Sequence, residues 1–389
     1  MRRRSTAQYA TVLWILGLII VCSILLATVL RSPASPETFS APRTPPSPSP
    51  SPPLPIVTYH VVGKEIIDNN GQVFVPYGVH LIGLFAYNWQ GSVGYQHLNF
   101  AQMKQAHTIW HANTVGVQLA SGNLFTDPSG TSYNQKYLQA IDQEVTWAHW
   151  AGMNILLILQ YEATHPQPLP TTDSVKFWDL LSRRYHSDPW VFFDVFNEPV
   201  SPSGLTEAQT WPLWQYGGQG YTGMQDLVNT IRGNGAKNLI FIDGLAAGED
   251  LRGVPAHRLK GTNLIYAIHP YAGIQHQSKP QWDSWFGDVA AQANFPVVAD
   301  EWNAYQSDTA ECVLQVPTLV PQLLNYLAAR HIGLMGWALF PGLLIRGWDY
   351  TNPTAFDQPT FTCTGTFPNY DSRAQGAGLL LQRYFATHT

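Results

Sequence analysis

Eight short runs of aliphatic, β-branched and aromatic residues recur along the chain: Gly78–Leu81, Thr114–Leu119, Ile155–Leu159, Val191–Phe196, Leu239–Ile242, Leu264–Ile268, Pro296–Ala299 and Ile332–Ala338. Helical patterns separate many of them. Leu138, Ile141, Val145 and Ala148 form one apolar stripe, and Val175, Trp178, Leu181 and Tyr185 form another. Thr222–Ile231, Val316–Arg330 and Arg373–Ala386 also carry helix patterns, whereas Glu249–Lys260 carries a poor one. Strands apolar on both faces and alternating with helices call for a parallel sheet covered on its faces. An open doubly wound sheet would call for a glycine-rich phosphate loop after a strand, and neither Gly-x-Gly-x-x-Gly nor a Walker spacing occurs there. The expected fold is therefore α/β, a closed (β/α)8 TIM barrel. A β-hairpin should precede it over Glu65–Phe74, turned at Asn70-Gly71.

The barrel accounts for residues 56–389 and leaves the N-terminus to be explained. Arg2, Arg3 and Arg4 precede an uncharged run from Ser5 to Leu30. That run is long enough for a membrane crossing of roughly 20 residues. The basic tip would stay cytoplasmic, which places the rest of the chain outside. A cleaved signal peptide is the competing reading, but the apolar stretch exceeds the usual h-region and no clean Ala-x-Ala site follows. Lipidation of Cys22 fits less well, since bulky Val21 precedes it. Residues 1–30 are accordingly expected to be a cytoplasmic tip and signal anchor. Residues 31–55, rich in Pro and Ser, should form an extended spacer. The predicted location is the cell membrane, single-pass with the barrel outside, or the medium if the N-terminus is removed.

A net charge of −5 argues against a nucleic-acid partner, which would need a basic face. Aromatic residues make up 13% of the chain, with 14 Trp. Core packing covers most of them, although flat rings also stack on the C–H faces of sugars. Cys312 and Cys363 are a candidate disulfide in an oxidising compartment. No Cys-x-x-Cys or His-x-x-x-His spacing suggests a structural zinc, and no metal or organic cofactor is expected.

In a (β/α)8 barrel, chemistry gathers at the C-terminal strand ends. The fourth run ends Asp194-Val195-Phe196-Asn197-Glu198-Pro199, and the seventh ends Ala299-Asp300-Glu301-Trp302. Two carboxyls flanking a scissile bond, one protonated and one ionised, are what glycoside hydrolysis requires. With Asn197-Glu198-Pro199, His269-Pro270-Tyr271, Glu301-Trp302 and Gly336-Trp337, the chain from about Tyr59 to Phe385 resembles glycoside hydrolase family 5, the cellulase-like retaining β-glycosidases. The resemblance implies Glu198 as acid/base, Glu301 as nucleophile and Asn197 as a donor to the sugar 2-hydroxyl. It further implies that Tyr271 orients the nucleophile, that His269 bonds within the site, and that Trp337 is a sugar platform. The substrate would be a β-linked oligo- or polysaccharide. A barrel that binds carbohydrate without turnover is the alternative.

Two positions depart from the family pattern. Gly116 stands where an Arg is usual, three residues after Asn113, and Gln160 stands where a His usually ends the third strand. Gln118 shares parity with Gly116 and is expected to fill part of the missing Arg's space. Gln160 and Trp89 are candidate substrate contacts, and Tyr87, Trp211, Trp214 and Trp348 are further candidate platforms. Glu162 could touch substrate. Asp194 and Asp243 are expected to be hydrogen-bond acceptors inside or at the rim of the barrel. Asp300 should point away from the side that Glu301 faces.

Overall fold

The structure is a computed structural model describing residues 57–127, 129–162, 167–272, 276–304, 316–356 and 376–388. The expected anchor, linker and disulfide (Cys312, Cys363) lie outside the described residues. Among the described residues, no helix is long and apolar enough to cross a membrane.

The described residues open with β1 (Tyr59–Val62), β2 (Glu65–Asp68) and β3 (Val73–Phe74), an antiparallel sheet in that order. The β2–β3 pair is the expected hairpin, and Gly71 supplies the positive φ of 78° that its turn needs. The barrel strands are β4 (Tyr77–Leu81), β5 (Thr114–Ala120), β6 (Asn154–Tyr161) and β7 (Val191–Asp194). After a two-residue pair, β8 (Gly217–Gly218) and β9 (Tyr221–Thr222), come β10 (Ile240–Asp243), β11 (Leu264–Ala267), β12 (Val297–Trp302) and β13 (Gly333–Gly336). Each barrel strand pairs in parallel with its neighbours, and β13 closes the circle on β4 through Leu334↔Tyr77, Met335↔Gly78 and Gly336↔Val79. The eight expected runs are the eight strands, within one or two residues at most ends.

Strand parity divides the barrel into two apolar shells. Ile155, Leu157 and Val191 face the helices and join the larger core. Leu156, Ile158, Phe192, Phe241, Ile265, Val298 and Met335 fill the barrel interior. Ile66 of β2 joins this interior set, with Tyr59, Val61 and Phe74 packed against it, so the N-terminal sheet plugs the floor. The Tyr59 ring lies 4.5 Å from Phe74 and 5.4 Å from Phe192. At the next inward level, two residues further along the strands, the lining turns polar: His80, Gln118, Asp194, Asp243 and Asp300 are all buried.

The helices Gln135–Ala151 and Thr172–Tyr185 carry the two predicted stripes. Between β10 and β11 the described backbone runs through turns, in keeping with the poor pattern there. Gly253 and Pro255 interrupt that stretch, and Arg252 instead stacks over Trp285 at 3.6 Å.

Candidate active site

β7 delivers Asn197 and Glu198 to the mouth. The Asn197 N–H donates to the Leu159 carbonyl at 3.0 Å, tying this segment to β6. Glu198 has a φ of 51°, in the left-handed region that costs a non-glycine residue about 1–3 kcal/mol. The conformation is held because the Glu198 N–H donates to Asp243 Oδ2 at 2.8 Å. Its side chain remains partly exposed at 21%.

His269 follows β11 and sits beneath this glutamate, 1% exposed. Its Nδ1 lies 3.2 Å from Glu198 Oε1, and its Nε2 lies 3.5 Å from Asp243 Oδ2 and 3.4 Å from Asp300 Oδ1. Burial opposes a charge on the ring, but Asp243, Glu301, Asp300 and Glu198 outweigh it and raise the pKa well above the usual histidine value. An imidazolium donates from both nitrogens, which matches carboxylates on both sides of the ring. The neighbouring turn is built around it. The His269 N–H donates to the Gly248 carbonyl at 2.9 Å. Gly248 has a φ of 76°, and a Cβ there would lie 2.8 Å from His269 Cγ. Only glycine meets both conditions.

Glu301 rises from β12, where the register with β13 shifts between Ala299 and Trp302. The sequence expectation put Asp300 and Glu301 on opposite sides, and the structure corrects it. The irregularity breaks strict alternation, so both carboxylates reach the neighbourhood of His269. Glu301 is 7% exposed and accepts from the Tyr271 hydroxyl at 2.9 Å. Burial pushes its carboxyl up to about 8, with the nearby Glu198 and Asp243 pushing the same way and His269 and Tyr271 opposing. One oxygen of Glu198, one of Glu301 and a nitrogen of His269 all lie within 4.8 Å of one another. Carboxylates this close repel when both are ionised, which is part of what raises Glu301. A positively charged His269 has no lone pair to offer a metal, so these groups make a poor cation site.

Beneath the pair, burial raises Asp243 to about 7, and burial together with Asp243 and Asp300 raises Asp194 well above the carboxylate range. The polar layer thus holds protons rather than a full set of negative charges.

Where the family's Arg is missing, the structure places His80. A Cβ on Gly116 would lie 2.8 Å from His80 Nδ1, so the imidazole occupies the room beside the glycine. Gln118, expected to fill part of that room, hydrogen-bonds His80 Nδ1. His80 Nε2 bonds the Asp300 carbonyl at 2.5 Å, and its ring meets Trp337 edge-on at 5.5 Å. Burial drives the His80 pKa down to about 3, so the residue in the Arg's place is neutral. Sequence reading missed His80, whose inward position on β4 opposite a glycine takes on meaning only once the strand register is known.

Trp337 is half-buried at the end of β13, its carbonyl accepting from Asn303 Nδ2 at 2.7 Å. Its peptide bond to Ala338 is cis. Gln160 is half-buried at the upper end of β6, and its Oε1 has no hydrogen-bond partner among the described residues.

Trp89 requires a correction. It is 6% exposed, with its ring packed edge-on against Tyr95 at 4.7 Å and Tyr137 at 5.3 Å, so it serves the core and offers no open face. Trp211 and Trp214 are likewise buried, against each other and His257. Glu162 is committed to the start of the helix Thr172–Tyr185, accepting from the Thr171 N–H at 2.7 Å and the Ser174 N–H at 3.0 Å. Tyr87 is 81% exposed in the loop after β4, and Trp348 stacks on His97 at 3.8 Å. Tyr87 thus keeps aromatic surface available, whereas Trp348 is half-buried, with Phe340 packed edge-on at 5.0 Å as well.

Known proteins place this geometry. The pattern of the family described as cellulase, glycosyl hydrolase family 5, matches residues 68–342. Endoglucanase N of Pectobacterium atrosepticum is 23% identical over 213 residues, 55% of this chain and 43% of that protein. Endoglucanase Z of Dickeya dadantii (strain 3937) is 21% identical over 258 residues, 64% of this chain and 53% of that protein. The chain therefore spans about half, or less, of the length of the endoglucanases it matches. Among solved structures, a β-glucanase from Saccharophagus degradans, also crystallised with cellotetraose, shares the fold with a TM-score of 0.64 at 19% identity. That alignment covers 88% of this chain and 98% of the β-glucanase. With the family pattern running from the hairpin to beyond the last barrel strand, the chain belongs to glycoside hydrolase family 5.

Proposed function

We propose that the protein is a retaining β-glycosidase that hydrolyses β-linked glucan chains, with Glu301 as nucleophile and Glu198 as acid/base. The observation that carries this reading is the approach of the two carboxyl groups to within 4.8 Å. Retaining enzymes keep the pair about 5–5.5 Å apart, whereas inverting enzymes leave about 6.5–9.5 Å for a water. Glu301 attacks the anomeric carbon as the glycosidic C–O bond breaks, and the proton of Glu198 goes to the leaving oxygen. Water then attacks the glycosyl-enzyme, Glu198 takes its proton, and the Glu301 carboxylate is released. His269 occupies Glu198 Oε1, which leaves Oε2 to carry the transferred proton. Tyr271 donates to Glu301 and, with the charge on His269, favours the ionised nucleophile. Asn197 and the half-buried Trp337 and Gln160 supply the sugar contacts in this reading. β-Glucan is favoured because the relatives are endoglucanases and the S. degradans β-glucanase has been crystallised with cellotetraose.

The test is hydrolysis of an aryl β-glucoside or aryl β-cellobioside, with the first-formed anomer read by proton NMR. Retention of configuration is expected, and Glu301→Gln should lower turnover by a factor on the order of 10³ or more. Release of the inverted anomer, or turnover indifferent to the substitution, sinks the mechanism. The neutral His80 beside Gly116, in place of a cation, favours a second reading in which the barrel binds glycan without turnover. Binding of cellotetraose by a native chain that cleaves no aryl glycoside would select it.

The N-terminal sequence extends the proposal to location: a single-pass anchor through Ser5–Leu30, with the barrel outside the cell on a Pro/Ser spacer. The protein should sediment with membranes, and its barrel should be cut by protease added to intact cells. Recovery of the whole chain in the cytosolic fraction would refute this.

A further inference from the structure

Glu198 stands in a conformation that its own residue type disfavours, and the residue after it is Pro199. A residue preceding proline is normally driven into extended backbone. Something must hold it at a φ of 51°. Asp243, at the end of β10, is fully buried and is positioned by the barrel itself: β10 pairs with β7 at Ile240↔Phe193 and Phe241↔Asp194. Its backbone is fastened on the outer side, where the Trp214 indole N–H donates to the Asp243 carbonyl at 3.0 Å. From that fixed point, Oδ2 accepts the Glu198 N–H at 2.8 Å. The same oxygen lies 3.5 Å from His269 Nε2, and the other nitrogen of that ring lies 3.2 Å from Glu198 Oε1. The contacts close a ring, from the Glu198 amide to Asp243, to His269, and back to the Glu198 carboxyl.

We propose that Asp243 is the positioning residue for the acid/base, clamping the backbone of Glu198 directly and its carboxyl through His269. Asp243 does not reach the sugar. It acts by fixing which oxygen of Glu198 faces the leaving group and by anchoring the imidazole that occupies the other oxygen. Asp300, 3.4 Å from the same His269 nitrogen, shares the second task but not the first, because only Asp243 also binds the Glu198 amide.

The inference rests on the assignment of Glu198 as acid/base, and the chemistry of that role supplies the test. A leaving group such as 2,4-dinitrophenolate departs without protonation, whereas phenolate needs the acid. Asp243→Asn keeps an acceptor for the Glu198 amide but can no longer ionise, whereas Asp243→Ala removes both the acceptor and the ionisable group. With Asp243→Ala, kcat/KM for a phenyl β-glycoside should fall roughly 10- to 100-fold, a part of the 10²–10⁴ that general acid–base catalysis supplies. For the dinitrophenyl glycoside it should fall less than about threefold, because that step bypasses the acid. Azide, a nucleophile that needs no general base, should raise kcat on the dinitrophenyl substrate and yield the glycosyl azide. Asp243→Asn should show the same pattern in weaker form, and it keeps the test open if the alanine variant does not fold. An equal fall on both substrates without azide rescue would mean general damage to the site. Unchanged kinetics in a folded variant would mean no role, and either result overturns the proposal. If the native chain turns over neither substrate, or does so with inversion, the functional assignment itself fails, a result independent of Asp243.

Discussion

Glu301 and Tyr271 show how a single hydrogen bond adjusts a pair of coupled acids. Burial raises the Glu301 carboxyl to about 8, and the Tyr271 hydroxyl at 2.9 Å is one of two groups pulling it back. The nucleophile must be ionised to attack, so activity should rise as pH increases toward about 8. Tyr271→Phe removes a donor that favours the ionised form, so this rising limb of the kcat/KM profile should move upward, by about 0.5–1 pH unit. Activity at pH 6 should drop, because less of the nucleophile is ionised there. A profile that keeps its position while losing height would show that Tyr271 acts on substrate binding instead. At this scale the catalytic residues were readable, because Asn197-Glu198-Pro199 and Glu301-Trp302 are local strings at strand ends. His80 was not, because its meaning depends on a glycine 36 positions later and across the strand pair His80↔Gly116. A lone histidine in an apolar run carries no signal until the register is known.

At the scale of elements, the strands were legible because each is apolar on both faces and ends in a polar residue or a turn. The floor and the bulge were not. The hairpin was recognised from Asn70-Gly71, but its use as a plug depends on Ile66 reaching Leu156, Phe192 and Met335, contacts between residues far apart in the chain. The bulge in β12 leaves no mark in Val297–Trp302, and without it two adjacent acids cannot share a site. The plug makes a prediction of its own. Ile66 is 4% exposed within the interior cluster, so Ile66→Ala should cost about 2–4 kcal/mol of stability through lost burial and a cavity. The measurement is a denaturant midpoint, with activity at 25 °C compared in the same preparations. Because the apolar tier separates the floor from the polar layer, the midpoint should fall while kcat stays within about twofold. A large loss of kcat in the folded variant would show that the floor and the mouth are coupled.

Over the barrel as a whole, buried titratable groups set opposing limits on the pH range of the fold. His80 and His276 are buried with pKa values lowered to about 3 and about 4, so the unfolded chain binds more protons than the fold below the ordinary histidine pKa. Their share of stability is lost as pH falls from about 6.5 toward those values. Glu144, Asp243 and Glu301 work the other way. Their folded pKa values are raised to about 8, 7 and 8, so their contribution is complete below about 4 and is lost as pH rises through 7–8. Across about pH 4–6.5 the two trends oppose each other, so thermal stability should change least there, fall below about pH 4 and fall steeply above about pH 6.5. Glu144 isolates the alkaline limb without touching the site. It is 1% exposed on the helix Gln135–Ala151, its Oε2 has no hydrogen-bond partner among the described residues, and burial is the cause of its shift. Glu144→Gln keeps the shape and removes the ionisation. It should leave the melting temperature at pH 4 nearly unchanged and raise stability at pH 8 by on the order of 2–4 kcal/mol. Melting curves of the two proteins across pH 4–9 check this: they should coincide near pH 4 and diverge progressively above about pH 4.5. Parallel curves would mean that Glu144 ionises freely in the fold, through water or a partner that relieves its burial.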